Sequence, residues 1–199
     1  MVEKILKNNK ILLELNKNFL EFNGFRVKGE KKIKKYKLLD TDTKMFLGRT
    51  LFRIQALSSF GNVEEGDLGG YIEREENLAH EGNAWIYDDA YVCGNAYVYD
   101  NARVFGNAWI CDNARVCGDA LVSNEADILC VRGIDSDYHY TTVCMTKDGK
   151  PFVACGCFFG TLPEFEAKVK KTCGDSKYAR EYQLFIELVK LHFNMKEEK

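Results

Sequence analysis

The sequence predicts a mainly β fold with α-helical caps, in which a short parallel β-helix forms the centre. Residues 82–129 are eight consecutive hexapeptides, and every one keeps Ala at its third position and Val or Ile at its fifth. Each hexapeptide opens with Gly, Asp or Asn, which tolerate turn and left-handed dihedrals, whereas the Ala and aliphatic pair marks the buried part of a short strand. A turn every six residues is the repeat of a parallel β-helix.

The repeat also predicts the size of the β-helix and its need for caps. Three hexapeptides make one triangular coil of eighteen residues, so eight give not quite three coils, about 15 Å tall at the usual strand spacing. Such a short prism exposes unpaired backbone and apolar interior at both ends, which the flanking segments must cover. We predict an N-terminal helix and strand cap at 1–60, the β-helix at 61–134 with regular hexapeptides at 82–129, and a C-terminal hairpin and two-helix cap at 135–199.

The N-terminal cap is predicted to contain one helix and two strands. Residues 2–22 carry apolar side chains at helical spacing and end before an Asn-Gly pair, which predicts an amphipathic helix. KYKLLD, from Lys35, and TLFRIQAL, from Thr50, are typical of strands, with a turn predicted at 40–42 between them. Irregular coils follow, where four glycines indicate tight bends: Gly61, Gly66, Gly69 and Gly70.

The C-terminal cap is predicted to be a hairpin followed by two helices. Asp148-Gly149 lies between the alternating runs 139–145 and 151–158, a strong hairpin signal. Thr161 and Glu164 form a capping box for a helix that ends near Gly174, and Ser176 caps a second helix. One face of that helix predicts a core or subunit contact; it carries Tyr178, Tyr182, Phe185, Ile186, Val189 and Phe193.

Residues eighteen apart are predicted to stack in columns on the outside of the prism. At the position before each aliphatic residue, the columns are Trp85 with Arg103 and Leu121, Tyr91 with Trp109 and Asp127, and Tyr97 with Arg115. Aromatic pairs contribute about 0.5–1.5 kcal/mol and exposed cation–π contacts about 0.5–1 kcal/mol. Two interpretations stay open: the columns stiffen the faces or pack between subunits, or they bind a partner. The candidate partner-binding residues are Trp85, Tyr91, Tyr97, Arg103, Trp109 and Arg115.

The net charge of −2 hides an uneven distribution, with +7 on residues 1–50 and −9 on residues 51–199. The positive charge is concentrated in a lysine run at 28–37, and the acidic residues in 64–81. The run is either a solvated face or a steering surface for nucleic acid or an acidic partner. Opposite charges on the two parts also favour a homo-oligomer, a dimer or trimer. The candidate steering residues are Lys31, Lys32, Lys34, Lys35 and Lys37.

The cysteines and histidines predict neither a disulfide framework nor a metal site. The chain has eight cysteines without a secretory signal, which favours reduced thiols in the cytoplasm. Cys155 and Cys157 would share one face of a strand, with Cys144 nearby on its partner strand. No CxxC motif is present and the three histidines are scattered, so no metal or other cofactor is predicted. No apolar stretch approaches the roughly 20 residues of a membrane helix, so no membrane partner is expected.

Three segments carry a resemblance to a known group: TLFRIQALSSFGNVEEGDLGGYIE, the GNAxV and DNAxV coils, and CGCFFGTLPEFE followed by YAREYQLFIELVKLHF. Together they resemble small hexapeptide-repeat proteins encoded by bacteriophages and prophages. The resemblance implies a left-handed β-helix and a phage-borne gene, in a group mostly without an assigned activity. Such accessory genes include inhibitors of host defence, among them anti-CRISPR proteins.

Hexapeptide β-helices are best known from two enzyme classes, zinc carbonic anhydrases and acyltransferases, and the sequence lacks features of each. A zinc carbonic anhydrase needs histidines from the coils, and residues 82–129 contain none. An acyltransferase usually has a catalytic histidine and a loop that interrupts the coils; here only His80 lies near them. We therefore predict a cytoplasmic interaction or inhibitor protein and not an enzyme, with a host protein or ribonucleoprotein as partner. The alternatives are a trap for a small nucleotide signal between subunits, an acyltransferase-like enzyme and a structural phage component.

Overall fold

The computed structural model describes residues 34–134 and 139–195, so the predicted helix at 2–22 lies outside it. Lys28, Lys31 and Lys32 of the lysine run also lie outside these ranges. No helix in the described part of the chain is long and apolar enough to cross a membrane. The strands and helices are, in chain order, β1 (Tyr36–Phe46), β2 (Arg49–Ala56), β3 (Leu68–Ile72), β4 (Trp85–Ile86), β5 (Tyr91–Val92), β6 (Tyr97–Val98), β7 (Arg103–Val104), β8 (Trp109–Ile110), β9 (Arg115–Val116), β10 (Leu121–Val122), β11 (Ile128–Arg132), β12 (Tyr140–Met145), β13 (Pro151–Cys155), β14 (Phe158–Thr161), α1 (Leu162–Cys173) and α2 (Lys177–His192).

The corners between hexapeptides have the left-handed dihedrals that their residue types predict. Seven consecutive opening residues have φ between 53° and 70°: Gly82, Asp88, Gly94, Asp100, Gly106, Asp112 and Gly118. Glycine and aspartate alternate along this series. The Asp88 carboxylate accepts from the Gly106 N–H at 3.0 Å, and the Asp100 carboxylate accepts from the Gly118 N–H at 3.2 Å. Hydrogen bonds between successive coils therefore reinforce the corners.

The two-residue strands stack into three faces. The first face contains β3, β5 and β8, the second β4, β7 and β10, and the third β6 and β9. On the third face Leu78 adds an isolated parallel bridge to Val98. Between 82 and 123, the Ala at the third position and the Val or Ile at the fifth are at most 3% exposed and form the main core. Their predicted inward orientation is confirmed.

The eighth hexapeptide does not add a strand to the coils. Asn124 has an extended backbone, with φ of −158°, and caps a 3-10 turn at Glu125–Asp127. The Asp127 carboxylate accepts from the Ser123 N–H at 2.7 Å and so fixes the last corner. Ile128 then begins β11, which pairs antiparallel with β12. The regular hexapeptides thus end at 123 and not at the predicted 129.

At the N-terminal end, β1 and β2 form an antiparallel hairpin that extends the sheet of the first face. The predicted turn at 40–42 is wrong, because the chain reverses at Leu47 and Gly48, whose φ angles are 46° and 77°. The 40–42 segment forms an irregularity in the pairing of β1 with β2. Its Asp42 carboxylate accepts from Arg53 Nε at 2.7 Å. The polar residues that suggested a turn instead tie β1 to β2.

Gly69 and Gly70 lie inside β3 and not at the predicted bends. A Cβ added to Gly69 would lie 2.6 Å from the side chain of Ile54, and one added to Gly70 would lie 2.3 Å from the Ala90 carbonyl oxygen. Both distances are too short for any side chain. These glycines therefore permit close packing of β3 against the first coil.

Two polar side chains close the N-terminal end of the second and third faces. Inside the coils, backbone N–H groups of one coil donate to carbonyls of the next. In the first coil, side chains donate instead to the carbonyls of Gly82, Ala84, Gly94 and Ala96. Lys35 Nζ donates to the Ala84 carbonyl at 2.8 Å and lies 3.4 Å from the Gly82 carbonyl. Asn77 Nδ2 donates to the carbonyls of Gly94 and Ala96 at 3.1 and 2.9 Å. Both side chains thus replace the missing coil.

At the C-terminal end, β11 to β14 form a four-stranded antiparallel sheet. The predicted hairpin is confirmed, since β12 and β13 are joined across 146–150. The capping-box prediction is supported at the start of α1, where the N–H and hydroxyl of Thr161 both donate to the Glu164 carboxylate at 2.8 Å. Ser176 Oγ accepts from the Ala179 N–H at 3.3 Å and caps α2, as predicted.

The C-terminal sheet separates two cores. Val143 belongs to the core shared with α1 and α2, whereas its neighbour Cys144 belongs to the core of the coils. This alternation follows from the two-residue period of a strand. The predicted face of α2 is mostly correct: Tyr182, Phe185, Ile186 and Val189 are buried, Phe193 is partly buried, and Tyr178 is exposed.

Candidate functional site

The six candidate partner-binding residues lie on three different faces of the coils. The pairs of the predicted columns are confirmed, because β4 pairs in register with β7, β5 with β8, and β6 with β9. The place predicted for Asp127 in the column of Tyr91 and Trp109 is wrong, because Asp127 lies in the 3-10 turn that ends the coils. The pairs are therefore Trp85 with Arg103, Tyr91 with Trp109, and Tyr97 with Arg115. Since each pair belongs to a separate face, the six residues do not form one surface.

Trp85 is buried and does not project from the second face as predicted. Its side chain is only 1% exposed. The ring of Phe60 packs edge-on against the indole with centroids 5.3 Å apart, and the ring of Tyr36 lies at 6.2 Å. Both aromatic rings come from the chain that precedes the coils. Trp85 therefore belongs to the core and cannot anchor a partner on the surface.

The column of Tyr91 and Trp109 is covered by the N-terminal hairpin. The ring of Phe46 lies 4.6 Å from each of these two rings, measured between centroids. Tyr91 and Trp109 stack on each other at 6.3 Å with an interplanar angle of 26°. Both residues are half-buried. This arrangement favours the interpretation in which the column stiffens its face.

Tyr97 and Arg115 belong to a half-exposed aromatic surface, which we call the tyrosine face and define by Tyr97, Tyr99, Arg115 and Phe159. The rings of Tyr97 and Tyr99 are nearly parallel, at 15°, with centroids 4.9 Å apart. Phe159 of β14 packs edge-on against Tyr99 at 6.2 Å and remains 45% exposed. The guanidinium of Arg115 is exposed beside these rings.

Arg115 is the single charged side chain of the tyrosine face at neutral pH. Burial, together with a hydrogen bond to the Cys117 thiol, raises the pKa of the Tyr99 phenol. Burial also raises the pKa of Cys117. The Arg115 backbone N–H donates to Thr142 Oγ1 at 3.2 Å, which ties this column to β12. The face thus offers flat neutral rings and one guanidinium, suited to stacking and to charge-assisted hydrogen bonds.

The sequence contains a signal for Tyr99 but none for Phe159. Tyr99 lies two residues after Tyr97 in the same hexapeptide and therefore shares its side of the strand. Phe159 reaches the tyrosine face from the C-terminal sheet, and the packing of that sheet on the coils has no local sequence signal.

The described lysines of the steering run have three different environments. Lys35 is only 4% exposed, so it is not the surface charge that the run predicted. The ammonium of Lys34 forms an ion pair with Glu75. Lys37 is exposed on β1. Steering by the whole run remains a prediction, because Lys31 and Lys32 are outside the described residues.

His80, the histidine nearest the coils, is a packed residue. Its Nδ1 accepts from the Lys35 backbone N–H at 3.2 Å, and its ring stacks on Tyr36 with centroids 4.4 Å apart. One ring nitrogen is thereby committed to the N-terminal cap. This geometry is typical of a structural histidine.

The cysteines proposed as a close set lie in separate places. Cys155 ends β13 and Cys157 lies in the turn that follows, so the two do not share a strand face. Cys144 pairs with Phe152 and points into the core of the coils. Within residues 34–134 and 139–195, no group of three or more His, Cys, Asp or Glu side chains is placed to hold a metal ion.

Comparisons with known proteins support a β-solenoid built from hexapeptide repeats. A family model described as the YdcK β-solenoid repeat matches residues 96–112. A 38-residue segment is 55% identical to a protein of Escherichia coli (strain K12) named "Uncharacterized acetyltransferase YdcK". The segment makes up 19% of this chain and 12% of that relative, so the chain spans a small part of the relative's length. These similarities do not show a phage or prophage origin.

Proposed function

We propose that this protein is a binding module that holds a partner on its tyrosine face. The observation that carries the proposal is the difference between the three faces: Trp85 is buried and the Tyr91 column is covered by Phe46, whereas the tyrosine face presents partly exposed rings. Aromatic residues and arginine are the side chains that most often dominate binding energy at interfaces. The uninterrupted corners from 82 to 118 support a rigid scaffold beneath them.

We further propose that the partner is a host protein or ribonucleoprotein of a bacterial defence system, bound in the cytoplasm. This part of the proposal rests on the resemblance of both flanks to phage-borne hexapeptide-repeat proteins. The same resemblance supports a left-handed sense for the β-helix. A binder that occupies its target needs no catalytic residue, and this agrees with a packed His80.

Affinity capture tests the proposal. The tagged protein is incubated with bacterial host lysate, and retained material is identified by mass spectrometry. Tyr97→Ser and Arg115→Gln should each lose the partner, since an anchor residue contributes about 2 kcal/mol or more. Tyr178→Ser, which changes an exposed tyrosine on α2, is the matched control and should retain it. Retention by all three variants would show that the tyrosine face does not bind the partner.

The same captured material tests the hypothesis of a nucleotide trap. Stacked tyrosine rings beside a guanidinium also suit a base and a phosphate. A nucleotide released on denaturation, in place of a retained protein, would favour this alternative.

Acyl transfer is a second candidate function, favoured by the similarity to a protein named as an acetyltransferase. Its test is the release of free thiol from acetyl-coenzyme A in the presence of mixed amine and hydroxyl acceptors. Turnover that is lost in His80→Gln would support the enzyme. Partner capture that persists in His80→Gln, without thiol release by the natural protein, would support the binding module.

A further inference from the structure

A small groove runs beside the corner where the coils face the hairpin of β12 and β13. Its volume is about 310 Å³, at the lower end of the range for ligand sites. We call it the ladder groove. The lining residues that matter here are Asn83, Tyr87, Asn101, Arg103, Asp119 and Lys147.

One wall of the ladder groove is a row of two side-chain amides and one carboxylate from successive coils. Asn83 Nδ2 donates to Asn101 Oδ1 at 3.1 Å, and Asn101 Nδ2 donates to Asp119 Oδ1 at 3.4 Å. Each amide nitrogen carries two hydrogens, and the ladder uses one of them. Successive coils therefore leave a second N–H, about 4.8 Å from the next, for other acceptors.

Arg103 lines the same groove, and no described residue accepts from its guanidinium. The side chain is half-buried, and its guanidinium makes no hydrogen bond or ion pair with any residue in 34–134 or 139–195. A guanidinium carries five N–H donors in a planar fork that matches a carboxylate or a phosphate. The Arg103 nitrogens are not among the buried polar atoms without a partner, so solvent reaches them and an anion that enters the groove can replace that solvent.

The charges around Arg103 favour an anion. Lys147 enters the groove from the hairpin and lies 3.6 Å from the Asp119 carboxylate, with about half of each side chain exposed. The Asp119 carboxylate therefore shares the ladder groove with two cations, Arg103 and Lys147. The half-buried ring of Tyr87 adds a flat, apolar wall.

We propose that the ladder groove binds a small molecule that carries a carboxylate or a phosphate. Arg103 binds the anion in a bidentate manner, Lys147 adds a second charge, and the free amide hydrogens of Asn83 and Asn101 orient its remaining oxygens. The site lies on a different face from the tyrosine face and does not depend on its function. The volume of about 310 Å³ fits a compact metabolite.

Calorimetric titration of the full chain at low ionic strength tests this site. The probes are inorganic phosphate, succinate and adenosine 5′-monophosphate, which separate a phosphate from a carboxylate and a bare anion from one with a ring. We expect saturable binding of at least one probe. Arg103→Gln and Lys147→Gln should each weaken that binding about tenfold, the cost of losing a charge-assisted hydrogen bond.

Two controls keep the result unambiguous. Arg180→Gln removes the same charge from an exposed position of α2, and Tyr97→Ser alters the tyrosine face; both should bind the probe like the natural protein. If Arg103→Gln melts early by circular dichroism, Lys147→Gln decides alone, because it lies on an exposed hairpin loop. The proposal is overturned if the natural chain binds none of the three probes, or if binding is undiminished in the groove variants.

Discussion

Two glycines in the same corner column should respond very differently to one added methyl group. Gly82 and Gly118 both have left-handed backbones, with φ of 70° and 62°. A Cβ on Gly82 would lie 2.5 Å from the Asp100 carbonyl oxygen, which belongs to the rigid backbone of the next coil. A Cβ on Gly118 would meet only the ring of Phe152, at 3.4 Å, an ordinary contact. The clash is therefore the main difference between the two substitutions.

The expected magnitudes follow from these distances. For alanine the left-handed conformation destabilises the folded state by about 1–2 kcal/mol, and the lower entropy of the unfolded chain offsets about 0.4–1 kcal/mol of this cost. Gly118→Ala should thus reduce the free energy of unfolding by at most about 1.5 kcal/mol. Gly82→Ala adds an overpacking cost of about 1–3 kcal/mol, because the Asp100 backbone must move.

Urea denaturation followed by circular dichroism measures this difference. The two variants should unfold with similar dependence on urea, and Gly82→Ala should have the lower midpoint. Equal midpoints, or a lower midpoint for Gly118→Ala, would show that the coil shifts freely at its first corner and that the close approach carries no energy.

Three further predictions concern the core, the N-terminal cap and assembly. Val104→Asp places a charge at a fully buried position and should cost several kcal/mol, with loss of β signal in circular dichroism; a variant that melts like the parent would contradict the inward orientation. Burial lowers the pKa of Lys35 to about 8, so above about pH 8 this group alone contributes a free energy of unfolding that rises with pH, whereas buried thiols such as Cys93, with a pKa raised to about 11, contribute a fall. In urea titrations between about pH 8 and 9.5, the free energy of unfolding of Lys35→Met should therefore fall more steeply with pH than that of the natural chain, and equal slopes would contradict the role of Lys35. Light scattering at micromolar concentration should give a mass that is a multiple of 22.8 kDa. Leu184 and Leu191 of α2 are 63% and 75% exposed, and residues 1–50 and 51–199 carry net charges of opposite sign, so both features favour self-association. A mass near 22.8 kDa would rule out the oligomer.

The parts of the fold that repeat were predictable from the sequence, and the parts that depend on packing between distant segments were not. The period of six placed the corners and the eighteen-residue columns, because each position in a coil has the same neighbours. Burial of Trp85 depends on Phe60, which belongs to a segment without periodicity. The hairpin turn was misplaced because Leu47 adopts φ of 46°, a conformation that leucine rarely takes.

The candidate sites show the same division. Tyr97 and Arg115 could be paired from their spacing alone, since residues eighteen apart occupy the same position in successive coils. Lys147 and Asn101 of the ladder groove were missed. Their proximity arises from the hairpin of β12 and β13 lying against the last coil, an antiparallel contact that no repeat encodes. Asn101 also looked like an ordinary corner residue, because every hexapeptide has a polar residue there.

Lys35 and Asn77 close the first coil, and this closure determines where further strands or coils can be added to the β-helix. A bare β-helix end is a template for fibrils, because any strand with free hydrogen-bonding groups can add to it. Here the Ala84 carbonyl on the second face and the Ala96 carbonyl on the third already accept hydrogen bonds from side chains. Another molecule that stacks on these faces would have to displace a buried ammonium and a buried amide. Duplication of an eighteen-residue unit further along the coils leaves these contacts untouched. The scaffold can therefore lengthen by internal duplication over evolutionary time while its second and third faces stay closed to stacking at the N-terminal end.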